Sequence, residues 1–126
     1  MVKISSEPID PSKVYDLIAK CGAGSIVFHY AVVKPMAGVG GTTFYIDYAS
    51  SDDTEAELDG IADALKTDYI VEDILLIRRT GRLVLGDIIS LVAASSTNSQ
   101  DALEACRQGI NLLKKMKSIV KNESRN

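Results

Sequence analysis

The spacing of apolar residues changes period several times along this 126-residue chain, and each change marks an element. Residues 71–78 and 88–95 are rich in Val, Ile and Leu, as strands buried on at least one face require. The RTGRLVLGD connection between them carries turn punctuation, Gly81 and the Gly86-Asp87 pair. From Ser99 the period lengthens. Ala102, Cys106, Gly109, Ile110, Leu113 and Met116 recur at three- and four-residue steps, which puts them on one helical face. Lys114, Lys115, Lys117 and Lys121 place positive charge at the end of that helix and just beyond it. A short extended tail follows, with residues 124–126 expected to fray.

The first half of the chain reads the same way. Residues 2–5 predict a short edge strand. Asp10-Pro11 starts a helix, because Asp caps free amides and Pro suits the first turn. Val14, Leu17 and Ile18 give that helix its apolar face, and Cys21-Gly22 ends it. The apolar run SIVFHYAVV, residues 25–33, predicts a strand, KPMAGVGG at 34–41 a mobile loop, and 42–48 a second strand able to pair with the first as a long-looped hairpin. Ser51-Asp52-Asp53 opens a second helix with acid near its positive end, and Leu58, Ile61, Ala62 and Leu65 line its buried face. The order implies an α+β fold, helices packed on a largely antiparallel sheet, as a single domain over residues 1–126.

Composition narrows the function classes. Hydrophobic residues make up 46% and charged residues 25%, ordinary for a globular protein that buries a core without disulfides. A net charge of −3 argues against a general nucleic-acid binder. No apolar run approaches the ~20 residues that span a bilayer, and MVKISSEPID lacks the apolar centre of a signal peptide, so no membrane partner and a cytoplasmic location are expected. Cys21 and Cys106 lie far apart without a CxxC spacing and read as reduced, partly buried thiols.

The residues alone leave the chemistry open. The lysines of LLKKMK suit a helix end, where cations offset the negative dipole. Alternatively, Lys114 and Lys121 form an anion-binding and catalytic pair. A lysine beside other cations is expected to have a lowered pKa and hence a nucleophilic amine. Arg78 and Arg79 read as an exposed strand end or as ion-pair partners. His29, the single histidine, reads as a satisfied residue on an apolar strand, so no histidine metal site is expected. GVGG at 38–41 lacks the GK[ST] of a phosphate loop. Asp52, Asp53, Glu55, Glu57 and Asp59 read as a solvated helix face.

One spaced set of residues is more specific. Arg79, Gly81, Leu83, Gly86 and Asp87, then Ser96, Ala102-Leu103-Glu104-Ala105-Cys106, Leu113-Lys114 and Lys121-Asn122-Glu123 resemble the large, catalytic subunit family of molybdopterin synthase. The resemblance implies that family's fold. It also implies sulfur transfer to cyclic pyranopterin monophosphate, making the dithiolene of molybdopterin in molybdenum cofactor biosynthesis. The implied donor is a small ubiquitin-like partner carrying a C-terminal Gly-Gly thiocarboxylate. Lys114 and Lys121 are the implied catalytic residues. Lys34, Val32, Val33, Asn98, Ser99, Asn122 and Glu123 fall at implied substrate-binding positions, and Arg79 is assigned to fold or subunit contact. The resemblance implies a homodimer with a small subunit at each end, a heterotetramer, and neither metal nor cofactor.

Departures fall where the family has charge. Its His-Arg pair at the start of the last helix, donated across the dimer interface, is Asn98-Ser99 here, and its strand-end arginine is Lys34. A second class of function is therefore a non-catalytic paralogue that keeps the dimer as an interaction protein. A third is an unrelated α+β small-ligand domain.

Overall fold

A computed structural model describes residues 1–35 and 44–125 of the chain. In chain order it forms β1 (Val2–Ser5), α1 (Pro11–Val14), β2 (Ser25–Val32), β3 (Phe44–Ala49), α2 (Thr54–Asp68), β4 (Asp73–Arg79), β5 (Gly81–Val84), β6 (Ile88–Ser96), α3 (Ser99–Lys114) and β7 (Val120–Arg125). Two sheets result, one ordered β1-β4-β6-β2 and one ordered β5-β3-β7. Only the β1–β4 pairing is parallel, so the expected largely antiparallel α+β fold is what forms.

The larger sheet is covered on both faces, and side-chain alternation decides what each face meets. Ile74, Leu76, Val92 and Ala94 pack with Leu58, Ile61, Ala62 and Leu65 of α2 and with Ala105, Cys106 and Leu113 of α3. The intervening residues Leu75, Ile77, Leu91 and Ala93 face the other way, against Ile9, Val14 and Ile18. A third cluster, Val33, Ile46, Tyr48 and Leu83, joins the smaller sheet to the end of β2. The faces of α2 and α3 read from the sequence are the buried ones. Asn98 caps α3, its side chain accepting from the Asp101 amide at 2.8 Å. Gly109 sits where α3 crosses β6, and a Cβ there would stand 2.8 Å from Val92 Cγ1 and 3.2 Å from Leu65 Cδ1. Only glycine lets the helix approach this closely.

Several expectations are corrected. Strands β2 and β3 do not form a hairpin: β2 pairs with β6, and β3 lies between β5 and β7 in the other sheet. The first helix stops well before Cys21-Gly22. After α1 comes one 3-10 turn, Tyr15–Leu17, and Ile18 is then drawn, extended, into the core. Lys20 Nζ donates to the Tyr15 and Ile18 carbonyls, satisfying the abandoned helix end, and Leu17 is left exposed. The connection between β4 and β6 is more than a turn, because GRLV pairs with β3 as β5. Gly86, at φ +87°, then reverses the chain, with Asp87 accepting from the Val84 amide. Residues 124 and 125 belong to β7 instead of fraying. The two thiols also differ: Cys21 is exposed, whereas Cys106 is buried, which pushes its pKa up to about 11. Most of the expected 34–41 loop, the residues 42–43 expected to start the second strand, and Asn126 lie outside the described residues. No helix among the described residues is long and apolar enough to cross a membrane.

One carboxylate fastens the smaller sheet to the helices. Glu57 of α2 accepts from the Lys117 amide and from the Ser118 amide and hydroxyl, just before β7. Burial pushes its carboxyl up, but the Ser118 hydroxyl and the two amides outweigh this and hold it below the ordinary range. A carboxyl depressed in the folded state adds stability above its unfolded pKa, about 4.3, and loses it as pH falls through the folded value. Glu57→Gln is therefore expected to lower stability at neutral pH by about 1–2 kcal/mol and to flatten its decline below about pH 4.5, read as Tm against pH. Gly109→Ala is expected to be destabilising despite alanine's higher helix propensity, by roughly 1 kcal/mol net. In a double-mutant cycle with Val92→Ala the two costs should fall short of additivity by about 1 kcal/mol, since removing the Val92 methyls relieves the clash.

Candidate functional site

Where the larger sheet ends and the smaller one begins, a cleft of about 590 Å³ opens. Its walls come from strands of both sheets, the end of α3 and the residues on either side of that helix end. Strand alternation selects the side chains. On β2, His29 and Ala31 face inward, opposite Val92 and Ser90 of β6. On β4, Arg78 shares the face of Ile74 and Leu76 and so enters the cleft, whereas Arg79 points to the opposite face. On the smaller sheet, Tyr48 pairs with Lys121 and Ile46 with Glu123, and all four line the cleft. Asp47 and Asn122 pair on the reverse face, where Asp47 holds Arg82 at 3.0 Å.

The ends of the elements bring in the remaining charge. A register shift falls between Ala31 and Val32, the last residue of β2 to pair (with Ile88), and both Val32 and Val33 line the cleft. Val33 is locked in place: its amide donates to the Asp87 carbonyl and its carbonyl accepts from the Gly86 amide, 2.9 Å each. That fixes the chain immediately before Lys34, which lines the same wall. Lys114, in the last turn of α3, enters from the opposite side along with Leu113 and Met116. Lys115 and Lys117 do not line the cleft.

The cleft is electropositive. Lys34, Arg78, Lys114 and Lys121 line it, and Glu123 is the single carboxylate among its lining residues. Lys121 Nζ stands 2.7 Å from Glu123 Oε1. That hydrogen bond holds the Lys121 pKa above its ordinary value, aided by Tyr48 and Glu123 and opposed by burial and by the Arg78 charge. The expectation of a lowered lysine pKa thus fails for Lys121, because its nearest partner is an acid. Arg78 lies over the Tyr48 ring, 4.7 Å from its centroid. Burial lowers the Arg78 pKa, with Tyr48 acting against it, and its Nε has no hydrogen-bond partner.

Six of the residues singled out in the sequence therefore meet in one place: Val32, Val33, Lys34, Lys114, Lys121 and Glu123. Three do not. Asn122 faces away, and Asn98 and Ser99 stand at the start of α3, at the far end of the helix from Lys114. The Asn98 side chain is engaged in capping, donating to Asp101 Oδ2 as well as accepting from its amide. The cleft also contains His29, Tyr48, Ser90 and Arg78, which the sequence does not mark as site residues. His29 is a wall of the cleft rather than solely a strand residue, and Arg78 is neither an exposed strand end nor part of an ion pair among the described residues. Alternation along β4 separates Arg78 from Arg79 once one inward residue is known. The described residues contain no cluster of three potential metal ligands.

Comparison with known proteins bears on the family and the fold. The molybdopterin synthase catalytic subunit of Thermoplasma volcanium is 28% identical over 123 residues, covering 97% of this chain and 89% of that protein. The crystal structure of molybdopterin synthase from Staphylococcus aureus superposes with a TM-score of 0.89 at 26% identity, over 98% of this chain and 90% of that one. The fold also matches, with a TM-score of 0.76 at 16% identity, a chain from the complex of subunits 1 and 2 of molybdopterin-converting factor from Helicobacter pylori, over 98% of this chain and 87% of that one. Residues 4–116 match the family described as MoaE protein, and the chain belongs to that family.

Proposed function

We propose that this protein is a molybdopterin synthase catalytic subunit, a sulfurtransferase of molybdenum cofactor biosynthesis. It takes sulfur from the C-terminal thiocarboxylate of a small ubiquitin-like partner and delivers it to cyclic pyranopterin monophosphate, forming the dithiolene in two such deliveries. The observation that carries this reading is the convergence of Lys34, Lys114 and Lys121 from three separate segments on one cleft, in a chain of this family. Both reactants are anionic, a phosphate ester and a thiocarboxylate, and a cleft with one carboxylate among several cations suits both.

The roles follow from position. Lys121, held by Glu123 and kept protonated, is a fixed positive charge for the negative charge that develops at the thiocarboxylate carbonyl. Lys114 enters from the opposite wall as the catalytic lysine, in contact with the reacting carbon and sulfur. Lys34, anchored through Val33, holds the substrate anion as a point charge. Each sulfur forms a carbon–sulfur bond on the pterin side chain in place of a carbon–oxygen bond, the oxygen leaving as water or as a phosphate oxygen. Water cleaves the bond between that sulfur and the partner's terminal carbonyl carbon, which returns as a carboxylate. No step requires a metal, because the product is the ligand that later receives one. The whole chain acts as one domain in the cytoplasm.

For assembly, we take the active form to be a homodimer with a small subunit at each end. The Helicobacter pylori relative, a complex of two subunits, supports the small partner. Asn98 and Ser99 lie outside the cleft of their own chain, so a substrate role for them requires a second copy.

A single-turnover assay tests the reading. Purified protein, thiocarboxylated partner and cyclic pterin are mixed, and molybdopterin is measured as its fluorescent oxidised derivative. Product is expected from the wild type, and a folded protein that binds the partner yet makes none would sink the proposal. Lys114→Ala should reduce the rate by about 100-fold or more with Tm and dimer unchanged, and Lys121→Ala by a similar order. Turnover surviving Lys114→Ala would remove that residue from the chemistry.

A further inference from the structure

We infer that Arg78, from the floor of the cleft, is a substrate-binding residue that grips the phosphate of the pterin through its guanidinium. This assignment rests on the sulfur-transfer reading for the identity of the ligand, but the anion site itself stands on geometry. Arg78 faces into the cleft from β4, opposite Ser90 of β6, with its position fixed by a regular antiparallel register. It is half-buried, and no ion pair among the described residues includes it. Its Nε is enclosed without a hydrogen-bond partner, as is the Nε of Arg79 on the opposite face, so the case for Arg78 rests on its place in the cleft and its lack of an ion-pair partner.

A buried guanidinium is costly unless a counter-charge meets it, and it cannot escape by losing its proton. The groups around it do not supply that charge. Tyr48 offers the face of its ring at 4.7 Å and a side-chain hydrogen bond, neither of which supplies a full negative charge. Lys121 repels it, and the Glu123 carboxylate lies against Lys121. The cleft is therefore short of one anion at Arg78. A phosphate fits this deficit, because the planar fork of N–H donors matches two phosphate oxygens, and Lys34, Lys114 and Lys121 line the same space.

The test is steady-state kinetics of Arg78→Gln and Arg78→Lys in the full complex, with the cyclic pterin and the thiocarboxylated partner varied separately. In Arg78→Gln the KM for the pterin should rise about tenfold or more, with kcat and the KM for the partner within about twofold. Arg78→Lys, which keeps the charge without the fork, should fall between. Inorganic pyrophosphate should compete with the pterin against the wild type and lose most of this competition against Arg78→Gln. Should Arg78→Gln fail to fold, Arg78→Lys still decides the matter, since an unchanged pterin KM in that variant overturns the proposal. An unchanged pterin KM in folded Arg78→Gln overturns it too, as does a loss confined to kcat and Tm. If the wild type makes no product, the sulfur-transfer reading fails separately. Calorimetric binding of pyrophosphate then decides the anion site: binding lost in Arg78→Gln upholds it, and equal or absent binding overturns it.

Discussion

The structure depends on β6. This strand pairs with β4 on one side and β2 on the other, and from Ser90 to Ser96 every residue is buried. Both of its faces are therefore committed. Val92 and Ala94 receive α2 and α3, while Leu91 and Ala93 receive the short α1 segment. Small residues make this possible. Alanines at 93 and 94, and Gly109 across from Val92, let the layers approach to contact distance without voids. The buried hydroxyls of the strand are used as well, Ser95 donating to the Ala19 carbonyl and Ser96 to the Ile70 carbonyl, so the strand end is tied to both flanking layers.

The cleft follows from that commitment. At the start of β6 the helices no longer cover the sheet, the pairing of β2 shifts register, and the smaller sheet takes over. The inward face of a strand is a buried apolar surface along most of its length and becomes the wall of the cleft at its end. The face of β4 that carries Ile74 and Leu76 in the core carries Arg78 at the opening. Likewise, one face of the smaller sheet presents Tyr48, Lys121 and Glu123, while the other keeps Asp47 and Arg82 as an exposed pair. A one-residue slip in either register would exchange these sets, so the charge in the cleft is set by sheet pairing rather than by loop conformation.

How much of this is legible in the sequence varies with the range of the interaction. The faces of α2 and α3 are readable because Leu58, Ile61, Leu65, Ala102, Cys106 and Leu113 repeat at helical spacing, a local property. The pairing of β2 with β6 is not, since proximity in sequence favours the hairpin and the true partner lies about sixty residues away. Strand β5 is hidden because its glycines and short length resemble a turn, and only β3, more than thirty residues earlier, makes GRLV a strand. Among site residues, Lys34, Lys114 and Lys121 come from the family resemblance, not from periodicity. Arg78 is masked by its neighbour Arg79, which matches the family pattern, and which of two adjacent arginines points inward depends on the register of β4. Asn122 misleads in the same way: in an extended tail it must face away from Lys121 and Glu123.

Charge explains why such a site sits in an acidic protein. The chain carries a net −3, yet four cations line one cleft. Much of the acid, Asp52, Asp53, Glu55, Asp59 and Asp63, is on the outer face of α2 and just before it, where it stays solvated and screened. Cations in a cleft with low-dielectric walls are screened less, so their field concentrates there rather than over the whole surface. Glu123 is the exception that makes the arrangement tolerable. By engaging Lys121 it relieves part of the mutual repulsion with Arg78 and fixes one ammonium in place, at the cost of some positive potential. Arg78 has no such relief, and its stem is held instead by the packing of the sheet and the ring of Tyr48. The folded protein thus keeps a half-buried cation, without an ion-pair partner among the described residues, in place using stability supplied by the β6 core. The energy withheld from folding is then available to an anion that enters the cleft.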